Sequence, residues 1–75
     1  MSFDRVKEII VDTINCDEDK ITLDASLKDD MGIDSLDAME LSMALEEEYS
    51  LTIPEEALAN FVTVKDIVDY IDQNS

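Results

Sequence analysis

The stretch DSLDAMELSMALEEEYS, Asp34 to Ser50, decides the architecture of this chain. On a helix advancing about 100° per residue, its apolar side chains fall into two rows. Ala38, Leu41, Leu45 and Tyr49 recur at intervals of three and four and form the face expected to meet a core. Leu36, Met39 and Met43 keep the same spacing on another side, bordered by Asp37, Glu40, Glu47 and Glu48. One packed face needs only one apolar row, so the second, edged with acids, reads as a surface for another molecule. Methionine usually fills cores, but its flexibility also suits adaptable binding surfaces. Glu46, Glu47 and Glu48 stand at the negative end of the helix dipole, where they are disfavoured. Their placement there supports a partner-facing role.

Outward from this helix the periodicity continues. Phe3, Val6, Ile10 and Ile14, joined by Ile9 and Val11, predict a first helix over about Phe3 to Asn15, with Ser2 as its cap. Between Cys16 and Asp34 the periodicity lapses, and Ile21, Leu23, Leu27, Met31 and Ile33 are expected to hold a long loop against the core. Gly32, the only glycine, turns the chain just before the second helix, and Asp34 or Ser35 caps that helix. Pro54 suits the first turn of a short third helix ending near Asn60, with Glu55 and Glu56 at its positive end. Thr63 can cap a fourth helix carrying Val64, Ile67, Val68 and Ile71, with Tyr70 beside them. No segment reads as a strand. The expected fold is all-α: a four-helix bundle of three longer helices and one short one, with a long loop between the first and second.

Seventy-five residues are expected to form one domain, residues 1–75, since so short a chain cannot divide into two cores. Twenty acids against five bases give a net charge of −15, and residues 29 to 64 hold ten acids and no Lys or Arg. Such a field repels nucleic acid and anionic membranes and steers basic protein surfaces. Disorder is disfavoured, because the 45% of hydrophobic residues fall in helical registers. The start Met1 to Arg5 lacks a signal peptide's features, and no run approaches the ~20 apolar residues that span a bilayer. The lone Cys16 excludes an internal disulfide, and with no His it has no partner for a metal site or catalytic pair. A cytoplasmic, monomeric protein without membrane insertion is expected.

A serine at a helix start is most often a cap. With no His in the chain, Ser35 also lacks the base of a hydrolytic nucleophile. A serine modified by another enzyme needs only exposure, and a phosphate attached at a helix N-terminus meets free amides and the positive dipole end.

Asp30, Met31, Gly32, Ile33, Asp34, Ser35, Leu36 and Asp37 together resemble the attachment motif of the acyl carrier protein family, ungapped. The resemblance runs on through Met39 to Leu41, Met43 to Tyr49, Ile53 to Glu56, Thr63, Val64 and Asp69 to Ile71, and so covers the chain. It implies a carrier and not an enzyme, with 4'-phosphopantetheine moved from coenzyme A onto Ser35 by a dedicated transferase, leaving a terminal thiol for acyl thioesters. Asp34 then positions the site in the magnesium-dependent transferase. Leu36, Met39 and Met43 correspond to the family's partner-facing apolar positions, and Asp37, Glu40, Glu47 and Glu48 to acids that meet basic surfaces of that transferase and of fatty acid synthase enzymes. Met31 replaces the usual leucine, Ala38 and Ser42 stand where Thr or Val are frequent, and Phe61 and Val62 alter the approach to the fourth helix. Met31 and Phe61 bear on the interior that receives an acyl chain.

Fatty acid biosynthesis is the leading expectation, and a stand-alone carrier for polyketide or other specialised acyl chemistry is the alternative. An acidic divalent-cation-binding or adaptor module is the alternative of another class. Calcium loops of the helix-loop-helix kind need alternating oxygen ligands about a central glycine. Asp17, Glu18 and Asp19, and Asp29, Asp30 and Gly32, miss that spacing, so no metal site is expected.

Overall fold

In the computed structural model, which describes residues 2–74, every periodic stretch forms a helix. Helices α1 (Phe3–Ile14), α2 (Ser35–Tyr49), α3 (Glu55–Ala59) and α4 (Val64–Asn74) follow in order, giving the all-α arrangement of three longer helices and one short one. Asn15 ends α1 as a left-handed cap at φ 61°, one residue earlier than expected, and Ser50 ends α2 likewise at φ 53°.

The core lies where the helices turn their apolar rows inward. Val6, Ile9 and Ile10 from α1 meet Leu41 and Leu45 from α2 and Val64, Ile67, Val68 and Ile71 from α4. Helix α3 buries no residue fully; Ala57 and Leu58 pack half-buried against the cluster. Ala38 and Tyr49 also lie half-buried on the inner side of α2, as their row requires.

Segment 15–34 follows the core closely. It contains one short 3₁₀ turn, Glu18–Lys20, that the sequence pattern does not announce. Ile21, Ala25 and Ile33 are buried, while Leu23, Leu27 and Met31 pack partly buried. Backbone bonds tie this segment to the α3–α4 connection: the Leu27 amide donates to the Val62 carbonyl at 2.9 Å, Val64 to Ala25 at 3.1 Å, and Lys65 to Leu23 at 3.0 Å. Ser26 and Thr63 pair as an isolated antiparallel bridge, and the described residues form no longer strand. Gly32 has φ 66°, and a Cβ there would meet nothing within 4 Å, so backbone conformation alone calls for glycine.

Two caps differ from expectation. Ser2 occupies the cap position of α1, and its carbonyl accepts the Val6 amide at 2.9 Å, but its hydroxyl donates across the fold to Asp72 at 2.6 Å. Pro54 precedes α3 as its cap residue, one position before the first turn. At α4 the Asp66 carboxylate accepts the Val62 and Thr63 amides at 2.9 and 3.1 Å, while the reciprocal bond from the Asp66 amide to the Thr63 hydroxyl is long at 3.4 Å. Asp66 therefore carries most of this capping box. The donated Val62 and Thr63 amides hold its carboxyl below the ordinary value of 3.8, against an opposing effect of burial.

A depressed folded-state pKa means that the Asp66 contribution is present above the unfolded value and is lost as pH falls through the folded one. Asp66→Ala is expected to cost about 1 kcal/mol near neutral pH. Urea midpoints at a series of pH values should show the gap from wild type closing below about pH 4. A pH-independent cost would remove the carboxylate from this account.

Candidate functional site

The turn at Gly32 brings the chain into α2 with Asp34 extended, at φ −94° and ψ −175°. Its Oδ1 accepts the Asp37 amide at 2.9 Å, and its carbonyl accepts the Ala38 amide at 2.9 Å. Of the two cap candidates, Asp34 takes the role. Ser35 becomes the first helical residue, exposed, with no hydrogen-bond partner for its hydroxyl among the described residues. The Ser35 and Leu36 amides open the helix with no internal acceptor, in the orientation that favours an anion.

Beside Ser35 a groove of about 760 Å³ runs between α2, α3 and the segment 26–34. Its rim carries Ser35, Met39, Met43 and Val62, and its depth reaches the core residues Leu45 and Ile67. Phe61 forms part of the wall and stands edge-on to Tyr70, ring centroids 5.6 Å apart. The Tyr70 hydroxyl donates to the Thr52 carbonyl at 3.1 Å, linking α4 to the middle of the α2–α3 connection. Met31 packs partly buried against the core but does not line this groove. Lys28 is the single base on its lining, with Asp29, Asp34 and Glu55 as the acids.

The second row of α2 faces outward. Leu36, Met39 and Met43 are 65%, 57% and 64% exposed, values that no core filler shows. Glu40 and Glu47 are exposed beside them, while Asp37 is half-buried and already used through its amide. Glu48 turns toward α1 and forms an ion pair with Arg5, which also holds Glu8 at 3.2 Å. Glu46 accepts the Ile53 amide at 2.9 Å and so fastens the connection to α3. Two of the three acids at the end of α2 thus have partners within the molecule, which lowers the electrostatic cost of placing them there. Glu47 has no such partner among the described residues.

From the sequence, Val62 and Ser42 stood out only as departures from the family pattern and not as residues of this region. Val62, 61% exposed on the groove rim, extends the apolar surface of α2 from a different element, so helical spacing could not signal it. Ser42 is buried and lines the groove; its position between the two rows of α2 was the available signal. Cys16 lies half-buried outside the groove lining, and burial first of all pushes its thiol up, away from the thiolate. Among the described residues no group of three His, Cys, Asp or Glu side chains is placed to hold a metal ion.

The family model described as the phosphopantetheine attachment site matches residues 4–71. Acyl carrier proteins of Clostridium perfringens, from strain SM101 and strain 13, are 49% identical over 73 residues, 97% of this chain and 96% of each of theirs. A solved structure described as a "putative acyl carrier protein" from Mycobacterium tuberculosis superposes with a TM-score of 0.89 at 27% identity, covering 97% of both chains.

Because Asp34 caps α2 and Ser35 does not, the two substitutions separate. Asp34→Ala is expected to lower the unfolding free energy by about 1 kcal/mol in urea titrations. Ser35→Ala should stay within about 0.5 kcal/mol of wild type. Equal losses would return the capping role to the serine.

Proposed function

The chain belongs to the acyl carrier protein family, and from that premise we propose that Ser35 Oγ is the attachment point of its phosphopantetheine arm. Members of this family carry acyl groups and are not enzymes. The exposed, unpartnered Ser35 hydroxyl at the start of α2 is the observation that carries the reading. The residues fit the group: a serine free of the capping role, two open amides toward a phosphate, and an apolar groove alongside. When attached, the arm supplies a terminal thiol on which acyl chains ride as thioesters.

Ser35 Oγ must give up its proton to accept a phosphoryl group. The chain has no His to take it, and in this reading the transferase supplies the base. As the Ser35 Oγ–P bond forms, the phosphoanhydride bond of coenzyme A breaks and the adenosine bisphosphate leaves. Asp34 commits Oδ1 to the cap and keeps Oδ2 for the magnesium-dependent transferase complex. The groove excludes water from the chain it shelters, with Leu45, Ile53 and Ile67 as its apolar depth and Phe61 in its wall.

Carriers of this family work with a transferase and with synthase enzymes. In the proposed reading these partners present basic surfaces. Leu36, Met39 and Met43 supply the apolar contact, and Asp37, Glu40 and Glu47 steer the approach, with Glu48 shared between that role and Arg5. We assign the 75 residues to one carrier domain, serving fatty acid biosynthesis as a cytoplasmic monomer. No helix among the described residues is long and apolar enough to cross a membrane.

Incubation with coenzyme A, magnesium and a broad-specificity transferase is expected to add one phosphopantetheine to the intact mass, and Ser35→Ala to abolish the gain. A wild-type protein that stays folded and unmodified would overturn the assignment. Reversing Glu40 and Glu47 together to Lys should slow the mass gain about ten-fold or more at low salt, with the gap narrowing as salt rises. An unchanged rate at low salt would move the docking surface elsewhere.

A further inference from the structure

Among the described residues Ser42, 8% exposed, is the one polar residue buried as a whole; the Tyr49 hydroxyl is also buried but lies outside the groove lining. It stands on α2 between the core row and the Met39–Met43 row, in the wall of the groove that opens beside Ser35. Two helical turns, about 10 Å along the axis, separate Ser42 from Ser35, so it sits between the rim and the depth at Leu45 and Ile67. The Ser42 hydroxyl donates to the Met39 carbonyl at 2.8 Å. That bond consumes its single proton and leaves lone pairs that no donor among the described residues fills. Neither the core nor the helix gains from this residue: serine is a weaker helix former than alanine, and back-bonding within a helix is slightly unfavourable.

We propose that Ser42 is a specificity-determining residue whose oxygen accepts a hydrogen bond from a hydroxyl near the thioester end of the carried acyl chain. The inference rests on the reading of the groove as the shelter of that chain. A hydroxyl entering an apolar groove unpaired loses its hydration without return, whereas here an acceptor meets it. A keto group brings no proton and gains nothing unless the Ser42–Met39 bond breaks. A hydroxyacyl chain therefore enters this groove without the penalty that an all-apolar wall would impose.

The test uses full-length wild type, Ser42→Ala and Ser42→Thr, each first converted to the phosphopantetheine form and checked by intact mass. A wild type that cannot be converted overturns the carrier reading itself, and the inference with it. Each protein is then loaded with decanoyl or 3-hydroxydecanoyl groups, and two quantities are read: the shift in melting temperature on loading, and the rate of thioester cleavage by hydroxylamine. In wild type and Ser42→Thr, the hydroxylated chain should be protected at least as well as the saturated one. In Ser42→Ala its cleavage should rise about three- to ten-fold relative to decanoyl, the loss of one hydrogen bond, with a smaller melting shift for the hydroxylated chain only. Before loading, Ser42→Ala should be at least as stable to urea as wild type. If Ser42→Ala alters both chains equally, or neither, the assignment of Ser42 is overturned.

Discussion

The hydrogen bond from the Asp37 amide to Asp34 Oδ1 is the contact on which the site depends. It stops the helix at Asp34, places Ser35 at the first helical position and relieves Ser35 of the capping duty that serine ordinarily performs there. The bond forms because Gly32, at φ 66°, lets the chain turn, and because Ile33 is buried with its amide donating to the Leu27 carbonyl at 2.8 Å. An anchored loop on one side and a packed helix on the other hold the Ser35 hydroxyl outward. The groove beside it follows from the same placement, since its walls are α2, α3 and the segment that the Leu27–Val62 bond ties down.

Charge acts at two ranges in this molecule. A net charge of −15 produces a long-range field that attracts positive charge and weakens the compact state by self-repulsion. Close contacts offset part of that cost. Arg5 takes Glu8 and Glu48, Lys7 lies 3.5 Å from Glu18, and Lys65 lies 3.3 Å from Asp69. These pairs are largely exposed, so each contributes little by itself. Glu46 and Asp66 contribute otherwise, as carboxylates that receive backbone amides at the ends of helices. The acids along Glu40 and Glu47 have no such internal role, and they flank the exposed apolar row.

Much of this could be read from the chain because helices are local. Spacings of three and four located α1, α2 and α4 to within a residue or two, since the 3.6-residue period is a property of the backbone and survives any packing. The same period separated the buried Leu41 and Leu45 from the exposed Leu36, Met39 and Met43. The partners of individual polar groups were less legible. Ser2 looked like an ordinary cap, but its hydroxyl reaches Asp72, seventy positions away in the chain. Glu46 and Glu48 looked like neighbours of Glu47 facing a partner, yet one fastens Ile53 and the other pairs with Arg5.

By itself the sequence determined the helices, the two rows of α2, the acidity and the family-like surroundings of Ser35. Each depends on residues within a few turns of one another or on composition. Only the tertiary structure decided that Asp34 and not Ser35 caps α2, that Val62 joins the apolar rim, and that Ser42 faces the groove. The last two outcomes require elements distant in sequence to meet, while the first follows from how the turn at Gly32 delivers Asp34 to the Asp37 amide. The pairing of segment 23–27 with 62–65 sets where the α3–α4 connection lies, and with it which side of α2 is walled and which is open. Helical spacing states which side chains share a face, but the packing of the other elements determines what that face meets.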